Sequence, residues 1–192
     1  MLRADFQNDG LRLPDYSYPS SSIRPDGTLP LAVIRDADPT SAPPELRLIT
    51  GETIFVSAVH RHELERFCGE HGISLVRRPD IWGALLEPFL DTEFTTSDQE
   101  RTGAMLLRFG LDSQQVDEIR SRVRPVMRTY NFESMLWDWT HLGLSDLLDG
   151  LMGEMGCERH RLSADDFATT YSWAMELADR SAPASTPIVG EG

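Results

Sequence analysis

The sequence of 192 residues contains no lysine, and all 18 of its basic residues are arginine. Because a protein Schiff base needs a lysine amine, pyridoxal phosphate enzymes and related carbonyl chemistry are excluded. Exclusive use of arginine is typical of a GC-rich genome, so we infer a bacterial source. The planar guanidinium also favours fixed ion pairs over loosely solvated charges.

Long apolar runs are missing as well. No stretch approaches the roughly 18 consecutive apolar residues of a transmembrane helix, and the N-terminal residues lack the apolar core of a secretory signal. We therefore expect a cytoplasmic protein that does not bind membranes. Its two cysteines are expected to be reduced rather than bridged, since disulfides are rare in the cytoplasm.

The sequence also lacks the short motifs of common enzyme classes. It contains no Walker A sequence, no GxGxxG, no GxSxG, no HExxH and no EF-hand loop. It has no internal repeat either. These absences favour a non-enzymatic protein that needs no cofactor.

Charge is strongly negative and unevenly distributed. The formal net charge is -13, which repels phosphate backbones and anionic lipid surfaces. Residues 131–192 hold eleven acidic residues and three arginines, whereas residues 96–130 hold five acidic residues and six arginines. A basic strip that meets an acidic segment, within the chain or in a partner, is consistent with this division.

The pattern of apolar residues predicts a single α+β domain between two tails. Residues 1–45 contain seven of the twelve prolines and a cluster of serines, so they are predicted to be an extended or disordered arm. Residues 46–180 form the domain, in which residues 46–79 predict a small β-hairpin/βαβ sheet with one helix and residues 80–180 a mainly helical bundle. Residues 181–192 are predicted to be a disordered tail.

Local signals predict where elements begin and end. Strands are expected over residues 53–59 and 73–76, on either side of a helix that ends at Gly72. Pro125 is expected to kink or divide a later helix. Helix N-caps are expected at five residues, Asp80, Ser97, Asp112, Ser145 and Ser163. Ionisable side chains are expected mostly on the outside of the bundle.

Each cysteine is followed three residues later by a histidine, giving the pairs Cys68 with His71 and Cys157 with His160. Thiolate and imidazole are zinc ligands, and two such pairs would complete a tetrahedral Cys2His2 site of structural type. Zinc proteins usually carry at least one CxxC, however, and this chain has none. The alternative is that Cys68 is a small core residue and that His71 lies near the end of a helix.

Four arginines, Arg120, Arg122, Arg124 and Arg128, follow one another with no acidic residue between them. Preceded by a helix–Gly110–helix pattern, they allow a nucleic-acid-binding interpretation of helices 97–128. The acidic chain and the acidic residues Asp117 and Glu118 at the front of the second helix oppose it. The alternative is a solvated face that contacts an acidic protein segment.

Trp137 and Trp139 form the densest aromatic patch. On a helix the two indoles point about 200° apart, so one of them is available as an anchor for a partner. We therefore hypothesise a non-enzymatic, cytoplasmic interaction or regulatory protein that uses these tryptophans and the four arginines against another protein or its own copy. A zinc-binding protein and a nucleic-acid-binding protein are the alternatives.

Overall fold

The computed structural model describes residues 3–90, 95–133 and 141–180. As predicted, the fold is α+β: antiparallel sheets lie in the N-terminal half and helices in the C-terminal half. The strands are β1 (Asp5–Gln7), β2 (Gly10–Arg12), β3 (Thr28–Pro30), β4 (Ile34–Asp38), β5 (Glu45–Leu48) and β6 (Thr53–Phe55). The α-helices are α1 (Arg61–His71), α2 (Ile81–Leu86), α3 (Thr96–Arg108), α4 (Ser113–Glu133), α5 (Leu144–Leu151) and α6 (Ala164–Ala178).

The structure differs from the predicted arm over residues 1–45. Residues 3–45 carry the first sheet, in which β2 pairs with both β1 and β3. Leu11, Leu13 and Leu29 are at most 1% exposed, and the Tyr16 hydroxyl accepts a hydrogen bond of 3.1 Å from the Phe55 N–H. This segment is therefore part of the core. Its prolines and serines lie mostly in turns, and the apolar residues between those turns are buried. The predicted tail over residues 181–192 lies outside the described residues.

The second sheet, in the order β4-β5-β6, begins at the end of that segment. A parallel bridge between Ala37 and Leu75 follows α1, which gives the predicted βα(β) connection in reduced form. The predicted strand over residues 53–59 is shorter than expected, since β6 ends at Phe55 and Ala58–His60 forms a 3-10 turn. Gly72 ends α1 with a φ of 66°, as predicted.

Three of the predicted N-caps are confirmed: Asp80 accepts from the Gly83 N–H, Asp112 from the Gln115 N–H, and Ser163 from the Asp166 N–H. The other two are wrong. The N-cap of α3 is Thr95, two residues before Ser97, and it forms a reciprocal capping box with Asp98. Helix α5 is preceded by Gly143 instead of Ser145, and its N–H donates to Asp146.

Pro125 lies inside α4, which runs from Ser113 to Glu133 without division. The predicted apolar face of this helix is buried, as shown by Val123, Val126 and Met127 at 0–4% exposure. Burial of that face therefore holds the helix together across the missing proline N–H. No helix in the three described segments is long and apolar enough to cross a membrane.

Two buried polar contacts join distant parts of the chain. The Trp82 Nε1–H on α2 donates 2.9 Å to the Ala174 carbonyl on α6. Glu52, before β6, accepts hydrogen bonds from the hydroxyls of Ser21, Ser22 and Tyr171. The first segment, the second sheet and the last helix are thus fixed to one another, and the junction of the second sheet with the helices frames the candidate site.

Candidate functional site

Charged side chains converge in a cleft at the junction of the second sheet with the helices. The cleft has a volume of about 250 Å³ and lies between the β4–β5 connection, residues 77–82 and the start of α5. Its walls include seven charged or titratable residues: Asp38, Glu45, Arg47, Arg77, Arg78, Asp80 and His141. This differs from the expectation that ionisable groups lie mostly outside the bundle.

Asp38 and Glu45 lie directly opposite each other on β4 and β5. Like charges in this position of an antiparallel pair destabilise a sheet. Glu45 is paired with an arginine, since Arg47 Nη2 donates 2.8 Å to its Oε2. Asp38 forms no ion pair with an arginine of the described residues. The sheet therefore carries a local electrostatic cost at the wall of the cleft.

The environment of Glu45 favours its protonated form. Burial raises the pKa of this carboxyl to about 7, and the Arg47 guanidinium, the strongest opposing influence, lowers it by less. Asp80 and Asp38 add negative charge that raises the pKa further. Glu45 thus changes charge near neutral pH at a side chain that is 20% exposed, as groups that transfer protons or bind charged ligands do.

Asp38 is 5% exposed, and its two carboxylate oxygens have different surroundings. Oδ1 accepts hydrogen bonds from the N–H and the hydroxyl of Thr40. Oδ2 has no hydrogen-bond donor among the residues that the structure describes. Every fully buried side-chain oxygen among these residues has a hydrogen-bond partner, so Oδ2 is not fully buried. Oδ2 is therefore partly exposed to solvent, and Asp38 is one of the residues that line the cleft.

A network of ion pairs next to the cleft fixes the arginine side chains of its wall. Asp36, 3% exposed, accepts from Arg35, Arg47 and Arg78 at 2.9–3.1 Å. Arg35 and Arg78 also contact Asp179, just after the last turn of α6. The guanidinium groups of Arg47 and Arg78 are therefore engaged with protein carboxylates, which holds them in place along the wall.

His141 and Asp80 form an ion pair at the rim, with Nε2 and Oδ2 3.1 Å apart. The hydrogen bond that the His141 ring donates to the Asp80 carboxylate raises the pKa of His141, and partial burial opposes this shift. Glycines keep the ring accessible: a Cβ at Gly83 would lie 3.0 Å from the imidazole Cε1, and one at Gly143 would lie 3.3 Å from Nε2. Side chains at either position would crowd this part of the cleft.

The residues of the zinc hypothesis have other partners. Cys68 is fully buried, burial raises the pKa of its thiol to about 11, and the His71 ring packs on Phe67 at 4.7 Å. Cys157 is also buried, its thiol donates 3.7 Å to the Val126 carbonyl, and His160 Nε2 lies 2.8 Å from the Thr129 hydroxyl. Among the described residues, which include all four, no three potential ligands are grouped to hold a metal ion. Zinc binding stays a prediction, which elemental analysis of untagged protein can test.

The four arginines on α4 point to different neighbours. Arg120 donates 3.1 Å to the carbonyls of both Ala84 and Leu85, where it caps the C-terminal end of α2. Arg122 stacks on Trp173 of α6, 4.0 Å from the ring centroid. Arg124 and Arg128 are exposed. Nucleic-acid binding stays a prediction that measurements at low salt can test.

Trp137 and Trp139, the predicted anchors, lie outside the described residues. The other two tryptophans are accounted for: Trp82 is 1% exposed, and Trp173 packs edge-on against it at 5.5 Å. The anchor hypothesis therefore stays a prediction.

Comparison with known proteins finds no match: no family model, no curated protein and no solved structure resembles this chain.

Proposed function

We propose that this protein binds a small polar molecule in the cleft between the second sheet and the helices. The supporting observation is that Asp38, Glu45, Asp80 and His141 line one concave surface. One carboxylate oxygen of Asp38, Oδ2, accepts no hydrogen bond from any described residue. Small-molecule sites combine such a concavity with a few polar groups that converge and titrate at unusual pH.

The cost of this arrangement adds support. Opposed carboxylates on neighbouring strands and the burial of Glu45 are both expected to reduce the free energy of unfolding. A local cost of this kind is characteristic of functional sites, where stability is given up for recognition.

Ligand mapping by NMR tests the proposal on the full chain. A panel of metabolite-sized amines, carboxylates, phosphates, zwitterions and sugars is added to ¹⁵N-labelled protein. A ligand of the cleft should shift the amide signals of Ser41, Gly143 and Ser145, and it should leave the signal of Gly103 on α3 unchanged. If every class in the panel leaves the three cleft signals in place, the proposal is wrong.

A second candidate function is the hypothesised cytoplasmic interaction or regulatory role with another protein or a second copy of this chain. Four large apolar side chains, Ile49, Val59, Leu75 and Leu107, are more than half exposed. They lie on different elements, however, and single exposed apolar residues are common on monomers. Sedimentation over a wide concentration range, with Leu107→Gln for comparison, tests self-association; a strict monomer removes that form of the hypothesis.

A further inference from the structure

The walls of the cleft indicate the charge of its ligand. Resting on the proposed function, we propose that the ligand carries a cationic nitrogen group, an alkylammonium or alkylguanidinium, that binds between Asp38 and Glu45.

The first argument is the open acceptor on Asp38. This side chain is almost completely buried and lines the cleft, and its Oδ2 has no hydrogen-bond donor within the described part of the chain. A carboxylate held in this way is best satisfied by a charged N–H donor, because such bonds are shorter and stronger than neutral ones.

The second argument is that the buried positive charges are already neutralised. Arg47 bonds to Asp36 and Glu45, and Arg78 bonds to Asp36 and Asp179. Arg77 also lines the cleft, but it is exposed. The buried charged group of the cleft that has no ion-pair partner among the described residues is therefore Asp38, and the acidic chain as a whole attracts cations.

The third argument favours an organic cation over a metal ion. No three metal-ligating side chains are grouped among the described residues. Asp38 and Glu45 each offer one oxygen that accepts from no described side chain, Oδ2 and Oε1. An ammonium or guanidinium donates several N–H bonds in different directions, so it can reach both oxygens, while its carbon chain packs beside Phe55 and Ile81 of the cleft wall.

A matched set of four-carbon compounds tests the charge directly. Putrescine, 1,4-butanediol and succinate have similar length and differ in charge, and agmatine adds a guanidinium. Titrations of the full chain are followed by NMR and calorimetry at pH 8 and low salt. Putrescine or agmatine should shift the amides of Ser41 and Gly143, and butanediol and succinate should bind at least about tenfold more weakly.

Two variants locate the binding. Asp38→Asn and Glu45→Gln should each weaken the cation at least about tenfold, and Glu100→Gln, an exposed position on α3, should leave it unchanged. Lowering the pH through 7 should weaken binding as Glu45 takes up a proton. The charged or titratable groups that interact with Glu45 are Arg47, Asp38, Asp80, His141 and Tyr16. If Asp38→Asn does not fold, Glu45→Gln and the pH series decide the result.

Different outcomes contradict different claims. If succinate occupies the cleft and the amines do not, the inferred charge is wrong and the cleft remains a binding site. If the amines bind with unchanged affinity in both variants, the assignment to Asp38 and Glu45 is overturned. If neither this set nor the broad panel shifts the cleft signals, the proposed function fails, and this inference fails with it.

Discussion

The Glu45 carboxyl couples the free energy of unfolding to pH. Its pKa is about 7 in the folded chain, against an ordinary value of 4.5. Between these two values the folded state holds more protons than the unfolded state, so stability falls as pH rises, by up to about 3 kcal/mol. Above pH 7 the cost is fully present, and below pH 4.5 it disappears.

We therefore expect Glu45→Gln to raise the free energy of unfolding at pH 8 by about 1–2 kcal/mol, since glutamine has no charge to desolvate but loses the ionic bond to Arg47. The gain should be clearly smaller at pH 5. Urea denaturation followed by circular dichroism at both pH values measures it, with Glu100→Gln as the control. An equal effect at pH 5 and pH 8 would show that Glu45 does not titrate in this range.

The ion pair at the rim gives a second prediction at a single residue. Because the hydrogen bond that His141 donates to the Asp80 carboxylate raises the pKa of His141, Asp80→Asn should lower this pKa toward the ordinary value of 6.5. An NMR titration of the His141 imidazole protons reports the pKa directly. A titration curve that does not move in Asp80→Asn would contradict the pairing.

The cleft residues could not be found from single positions in the sequence. Asp38 and Glu45 lie seven residues apart, and they face each other only because β4 and β5 pair in one register across a turn with three prolines. The same prolines led to the prediction of an arm. The available signal was the alternation of apolar residues Leu46 and Leu48 after that turn, which marks the second strand of a hairpin.

At the level of elements, α4 and α5 pack closely because Gly150 lacks a side chain. A Cβ there would lie 2.8 Å from Val126 Cγ2 and 3.4 Å from a ring carbon of Tyr130. Gly150→Ala should therefore lower the free energy of unfolding by about 1–3 kcal/mol.

Gly103→Ala provides the matched control on α3. Nothing lies within 4 Å of a Cβ at this position, so alanine should stabilise the helix by about 0.5–1 kcal/mol. Thermal and urea denaturation of both variants measures the two effects. If both substitutions stabilise the protein, the close approach of α4 to α5 is wrong.

The helices could be predicted from the sequence better than the strands. The apolar face of α4 is long enough for its period to be read, and Asp80 and Ser163 act locally on the next few residues. Strands β1, β2 and β3 have three residues each, too few for alternation to be recognised, and their stability comes from contacts far along the chain.

For the molecule as a whole, a core residue in the segment 3–45 should contribute to the free energy of unfolding as much as a core residue later in the chain. Leu29 and Leu46 are both fully buried, one in each sheet. Leu29→Ala and Leu46→Ala should each cost about 2–5 kcal/mol, whereas Leu107→Ala, at a position that is 63% exposed, should cost little.

Circular dichroism and tryptophan fluorescence should report the same single unfolding transition in these variants, because the buried residues form one core. A Leu29→Ala variant as stable as the original protein, beside a destabilised Leu46→Ala variant, would separate the first segment from the fold.

The hydrogen bonds of Glu52 set an order for biosynthesis. Its carboxylate needs hydroxyls from Ser21 and Ser22, made early in translation, and from Tyr171, made near its end. Until the last helix has been synthesised, the Glu52 carboxylate lacks the hydrogen bond from Tyr171 and is hydrated instead. The polypeptide therefore reaches its final form only after the last helix has emerged from the exit tunnel.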